Sequence, residues 1–166
     1  MLKIKPGAFK YSNIDIIGYL AVKDSIIMAI SKGNPSALAR PRSFNDVAGQ
    51  HIVKSILMKS IINATTPQQI LLTGGSGLGK TTIARILANL LVCDKPLENG
   101  EVCNTCDNCI LSSEGNHPDI IEFDAASYGS KEEIKEISSK AMFLPVLARN
   151  KIYIIDEAHG LSNSGG

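Results

Sequence analysis

Apolar positions along the chain follow two rhythms. The solid runs Gln69-Ile70-Leu71-Leu72-Thr73 and Lys151-Ile152-Tyr153-Ile154-Ile155 read as buried strands, and Asp119-Ile120-Ile121-Glu122-Phe123-Asp124 reads as another. Elsewhere the spacing is helical. Ile52, Val53, Ile56, Leu57 and Ile61 predict an amphipathic helix that ends before Pro67, and Ile83, Ile86, Leu87, Leu90 and Leu91 predict a second one directly after a glycine-rich stretch. Ser130 with Glu133 three residues on forms a capping box, and Ile134, Ile137 and Ala141 place small or apolar groups on one face before Pro145. Helices alternating with strands predict an α/β fold built on a parallel sheet.

The glycine-rich stretch between the first strand and its helix carries the most specific chemistry. Gly74-Gly75-Ser76-Gly77-Leu78-Gly79-Lys80-Thr81 has the spacing GxxxxGK[ST] of a phosphate-binding loop, with Thr82 following. Glycines let successive backbone N–H groups curl round phosphate oxygens, Lys80 can reach the β- and γ-phosphates, and the Thr81 hydroxyl can ligate Mg²⁺. A chance glycine-rich turn would lack the strand before it and the helix after it. The strand at Lys151 ends in Asp156-Glu157-Ala158-His159, which is the Walker B arrangement. Asp156 is placed to hold Mg²⁺ through water beside Thr81, and Glu157 to orient and polarise the attacking water. His159 is expected beside the site, without a role as general base, because phosphoryl transfer depends mostly on positioning and electrostatics.

All four cysteines of the chain, Cys93, Cys103, Cys106 and Cys109, fall in one segment with the pattern C-x9-C-x2-C-x2-C. Four thiolates can close a tetrahedral Zn²⁺ site with no open position, which makes such a site structural. Two disulfides packed among such close cysteines would be strained. An iron–sulfur cluster is the stronger rival, although the ferredoxin run is longer and ends in Cys-Pro. His117 could replace one cysteine, but with Pro118 after it the expected place is the loop leading to the next strand.

Composition narrows the class without adding chemistry. The 166 residues are 44% hydrophobic, ordinary for one domain with a core, and the formal net charge of +1 offers no global attraction to nucleic acid or membrane. Ile14 to Ile30 is the longest apolar region, yet Asp15, Lys23 and Asp24 interrupt it, which makes it a poor membrane span. The first ten residues lack the apolar run and cleavage site of a secretory leader, so a cytoplasmic location is expected.

Taken together, these motifs resemble a known family. Phe44-Asn45-Asp46-Val47-Ala48-Gly49-Gln50, the phosphate loop, the four cysteines, His117-Pro118-Asp119 through Ala125-Ala126-Ser127 and Asp156-Glu157-Ala158-His159 stand in the order of the bacterial DNA polymerase III gamma/tau subunits, the ATPases of the replicative clamp loader. The resemblance spans roughly Ala37 to Ser164. It implies an AAA+ P-loop sheet with a zinc module inserted at 93–109. It also implies ATP, Mg²⁺ and Zn²⁺ as cofactors, with other clamp-loader subunits, a sliding clamp and primed DNA as partners. By it Lys80 acts on phosphate, Thr81 and Asp156 on Mg²⁺, Glu157 on the water, and the four cysteines on zinc.

Three further expectations follow. Residues 1–36 match nothing in the family and are expected to be an extension of unknown role, with a non-functional tail favoured. The chain stops at Gly166, soon after the second motif, so residues 37–166 are expected to form a partial AAA+ domain with little activity alone. In such sheets the strand before the phosphate loop sits between two strands that come later in the chain, and it is expected here to lose both neighbours. Two other readings stay open: a fragment of a DEAH-type helicase, from the letters Asp156-Glu157-Ala158-His159, and a truncated ATP-binding fragment without catalysis.

Overall fold

In the computed structural model, residues 3–6, 25–30, 41–125, 127 and 139–158 are described. Strands are β1 (Lys3–Pro6), β2 (Ser25–Ile30), β3 (Gln69–Thr73), β4 (Ile120–Asp124) and β5 (Lys151–Asp156), and helices are α1 (His51–Ile62), α2 (Lys80–Val92) and α3 (Asp107–Ser113). β3 and the Lys151 strand match the solid apolar runs, and Ile70 and Leu72 of β3 are fully buried.

The five strands form one sheet in the order β1-β3-β2-β5-β4. β1 is antiparallel to β3 and every other pairing is parallel. This corrects the expectation that the strand before the phosphate loop stands without neighbours. β1 lies on one side of it, with Ile4 opposite Leu72, and β2 on the other, with Met28 opposite Ile70. The reason is visible in Ser25-Ile26-Ile27-Met28-Ala29-Ile30, a near-continuous apolar run of the kind found in parallel strands covered on both faces. Within residues 1–36, therefore, two segments pair into the sheet.

Side-chain alternation sorts the core. Ile26, Met28, Ile70, Leu72, Ile152 and Ile154 share one face and pack with Val53 and Leu57 of α1 and Ile83, Ile86, Leu87 and Leu90 of α2. Leu71, Tyr153 and Ile155 belong to the opposite face and are buried too. α1 departs from its sequence pattern, because Ile52 and Ile56 are more than half exposed while Val53 and Leu57, one turn apart, make the contact. Its start is set by Gly49 and Gln50, both in the left-handed region, and its end by Asn63 and Ala64, the latter again left-handed.

The helix expected from Ser130 lies mostly outside the described residues. Residues 139–141 are helical, and Ala141 is fully buried. Among the described residues no helix is long and apolar enough to cross a membrane.

Candidate functional site

The phosphate-loop motif occupies the turn from the carboxyl end of β3 into α2. Gly77 (φ 77°) and Gly79 (φ 78°) take left-handed backbone conformations there, and no neighbour would meet a Cβ at either. Glycine is required by the torsion, not by crowding. The first bond inside α2 runs from the Ile83 N–H to the Gly79 carbonyl at 2.9 Å. The N–H groups of Lys80, Thr81 and Thr82 lie ahead of it, at a helix end that favours anions.

Lys80 is 3% exposed, and its Nζ donates to the carbonyls of Gly74 (3.1 Å) and Gly75 (2.8 Å), which fixes it beneath the loop. Burial pushes its pKa down, and the nearby charges of Asp156 and Glu157 offset this only in part. The Thr81 hydroxyl donates to Asp156 Oδ2 at 3.0 Å, joining two motifs 75 residues apart in the chain. Asp156 Oδ1 accepts the Glu157 N–H at 2.9 Å, and Glu157 sits at φ 51°, an unusual conformation for a residue with a side chain. β5 thus delivers two carboxylates to the end of the sheet where β3 delivers its loop. Ser76 and Leu78 lie within that loop. His159 falls outside the described residues.

The four cysteines converge at the other end of α2. Cys93 is the residue capping that helix, and the four sulfurs all lie within 4.8 Å of one another. Cys103 and Cys109 Sγ are 3.8 Å apart, the separation of about 3.8 Å that Zn–S bonds of about 2.3 Å give in a tetrahedron. All four thiols are free, which sets the disulfide alternative aside. Sulfurs this close enclose one ion more readily than a multi-iron cluster. Backbone N–H donors, foremost that of Thr105, pull the Cys103 thiol down to about 5, and burial pushes those of Cys93 and Cys109 up. The Cys103 N–H also points at Cys93 Sγ at 3.5 Å.

His117 stands apart from the cluster of four thiols. It is 4% exposed, with Nδ1 accepting the Asp119 N–H at 3.0 Å and Nε2 2.9 Å from Asn108 Oδ1, while Asn108 Nδ2 donates to Asp94 Oδ1 at 3.0 Å. The ring is therefore neutral and donates through Nε2. Fully buried Asp119 accepts the N–H groups of Val146 (2.7 Å), Leu147 (2.7 Å) and Ala148 (2.8 Å). Burial pushes its carboxyl up, but the three donors outweigh that and hold it below the ordinary value. Sequence reasoning missed this network, which ties the cysteine segment to the approach of β5. It also missed Arg85, whose Nε and Nη2 reach the two oxygens of Glu122 on β4 at 2.7 and 2.6 Å. The available signal was Arg85 lying four residues after Thr81, on the same helix face.

Comparison with known proteins places this geometry in a family context. Residues 49–166 match the family model described as DNA polymerase III, delta subunit. The chain is 42% identical over 123 residues to DNA polymerase III subunit gamma of Buchnera aphidicola subsp. Baizongia pistaciae, covering 74% of this chain and 33% of that protein. It is 37% identical over 123 residues to DNA polymerase III subunit tau of Escherichia coli K12 (74% of this chain, 19% of that protein). With subunit tau of Bacillus subtilis 168 the identity is 38% over 124 residues (74% and 22%). The chain spans about a third or less of the length of these curated relatives.

Proposed function

The chain belongs to the DNA polymerase III delta subunit family, and from that premise we propose that it is an ATP-binding and ATP-hydrolysing part of a bacterial replicative clamp loader. The reading takes residues 37–166 as part of an AAA+ domain with a zinc module at 93–109. The observation that supports it is the hydrogen bond from Thr81 to Asp156, because the two motifs that such a site would need meet there.

In this account Gly74, Gly75, Ser76, Gly77, Leu78 and Gly79 wrap the phosphates with backbone N–H groups, and Lys80, Thr81 and Thr82 add those of the helix end. Lys80 supplies a positive charge to the β- and γ-phosphates. Thr81 and Asp156 would hold Mg²⁺, which neutralises charge on the phosphate oxygens when bound. Glu157 orients a water at the γ-phosphate and accepts its proton. Cys93, Cys103, Cys106 and Cys109 would hold Zn²⁺, whose contribution is a cross-link between the end of α2 and α3, with no open position for chemistry. The partners are other clamp-loader subunits, a sliding clamp and primed DNA, in the cytoplasm. The relatives are replication subunits, and the DEAH-helicase reading is set aside.

Single-turnover hydrolysis, with the chain in excess over radiolabelled ATP, tests the assignment. The native chain should form ADP slowly, and Glu157→Gln should be slower by at least about a hundredfold. Equal rates in the two chains would contradict the role of Glu157, and no ADP from either would contradict hydrolysis.

A further inference from the structure

Thr81 and Arg85 are four residues apart on α2 and project from one face, a turn apart. Thr81 meets Asp156 at the end of β5, and Arg85 meets Glu122 on the adjacent β4. In the β4–β5 register Asp124 stands opposite Asp156 and Glu122 opposite Ile154, so Glu122 and Asp156 flank the same stretch of helix. The Arg85 guanidinium also feels the charge of Asp156, after its stronger hydrogen bond to Glu122.

A guanidinium beside a carboxylate that must take a divalent cation is a competitor for it, because both are drawn to the same oxygens. In this fold the competitor is occupied. Two parallel hydrogen bonds to Glu122 engage the Nε–Nη2 edge of Arg85 and offset its charge. We propose that Glu122 is a positioning residue that holds Arg85 away from Asp156 and so keeps Asp156 open to Mg²⁺. The inference rests on the nucleotide-site reading above and deepens it.

A role in stability alone makes a different prediction. The pair is partly exposed, at 41% and 31% for the two side chains, so as a mere surface ion pair it would contribute little, and losing either member would have the same small effect. The positioning role is asymmetric. Removing Glu122 frees the arginine to take Asp156; removing Arg85 leaves nothing to be held away.

The experiment has two readouts. In the first, ATP affinity is measured against Mg²⁺ concentration. Glu122→Gln should raise the half-saturating Mg²⁺ about tenfold, the size of effect expected when a cation settles beside a carboxylate. Arg85→Gln should not raise it, and the double variant should return to the native value. The second readout needs no nucleotide: the exchange protection of the Arg85 Nε–H signal in the NMR spectrum. In the native chain it should be protected and insensitive to Asp156→Asn. In Glu122→Gln it should stay protected, and adding Asp156→Asn should remove that protection. Equal Mg²⁺ shifts in both single variants, or an Arg85 signal in Glu122→Gln that ignores Asp156→Asn, would overturn the proposal. Failure of the native chain to bind ATP would count against the nucleotide reading, and the Arg85 signal would then judge the positioning role by itself.

Discussion

The buried His117 ring holds one tautomer because both of its nitrogens are engaged, and adding a proton at Nδ1 would turn an acceptor into a donor facing the Asp119 N–H. Burial accordingly holds its folded pKa below 6.5. An unfolded chain binds the proton more readily, so stability from this residue is present above pH 6.5 and is lost as pH falls towards the folded value. Urea unfolding at pH 7.5 and 5.5 should therefore show a larger loss at the lower pH for the native chain than for His117→Gln. Equal losses would contradict the neutral, doubly bonded ring. Other groups titrating in this window, Cys103 among them, are common to both chains and cancel in the comparison.

Residue placement was legible in the sequence where spacing dictates geometry. Lys80 and Thr81 are fixed by the turn that carries them, and Asp156 by its place at the end of an apolar strand. His117, Asp119 and Arg85 were not legible in the same way. Their partners lie 9, 27 to 29 and 37 residues away, and only the folded chain brings them together.

Among the elements, β2 changes the picture most. It lies between β3, which leads into the phosphate loop, and β5, which carries Asp156, so the relative placement of the two motifs passes through it. Sequence pattern located β3 and β5 as solid apolar runs, β4 as a short, mostly apolar stretch and α2 as a clean helical repeat. It did not place β2, since an isolated apolar run says nothing about which strand it pairs with. Met28 is fully buried in this strand, against Ile70 on one side and Ile154 on the other. Met28→Ala should cost about 3 kcal/mol in chemical denaturation. A change below about 0.5 kcal/mol, the range of exposed substitutions, would contradict a central position for β2.

At the scale of the molecule, α2 is the member that both sites share. Its first residues, Lys80 and Thr81, stand at the phosphate loop and its cap, Cys93, is one of the four thiols, about 20 Å away along 13 residues of helix. α3 is tied to α2 by the hydrogen bond from Ser112 to Asn89, and Asp119 ties the start of β4 to the approach of β5. The sheet that results places one loop and two carboxylates together at a single end, and the central claim is that this end binds one nucleotide. Calorimetric titration of the chain with Mg²⁺-ATP, with Lys80→Ala as its partner, tests that claim most directly. Saturable heat at one site per chain that disappears in Lys80→Ala is the predicted result; no saturable heat, or the same heat in both chains, would contradict it.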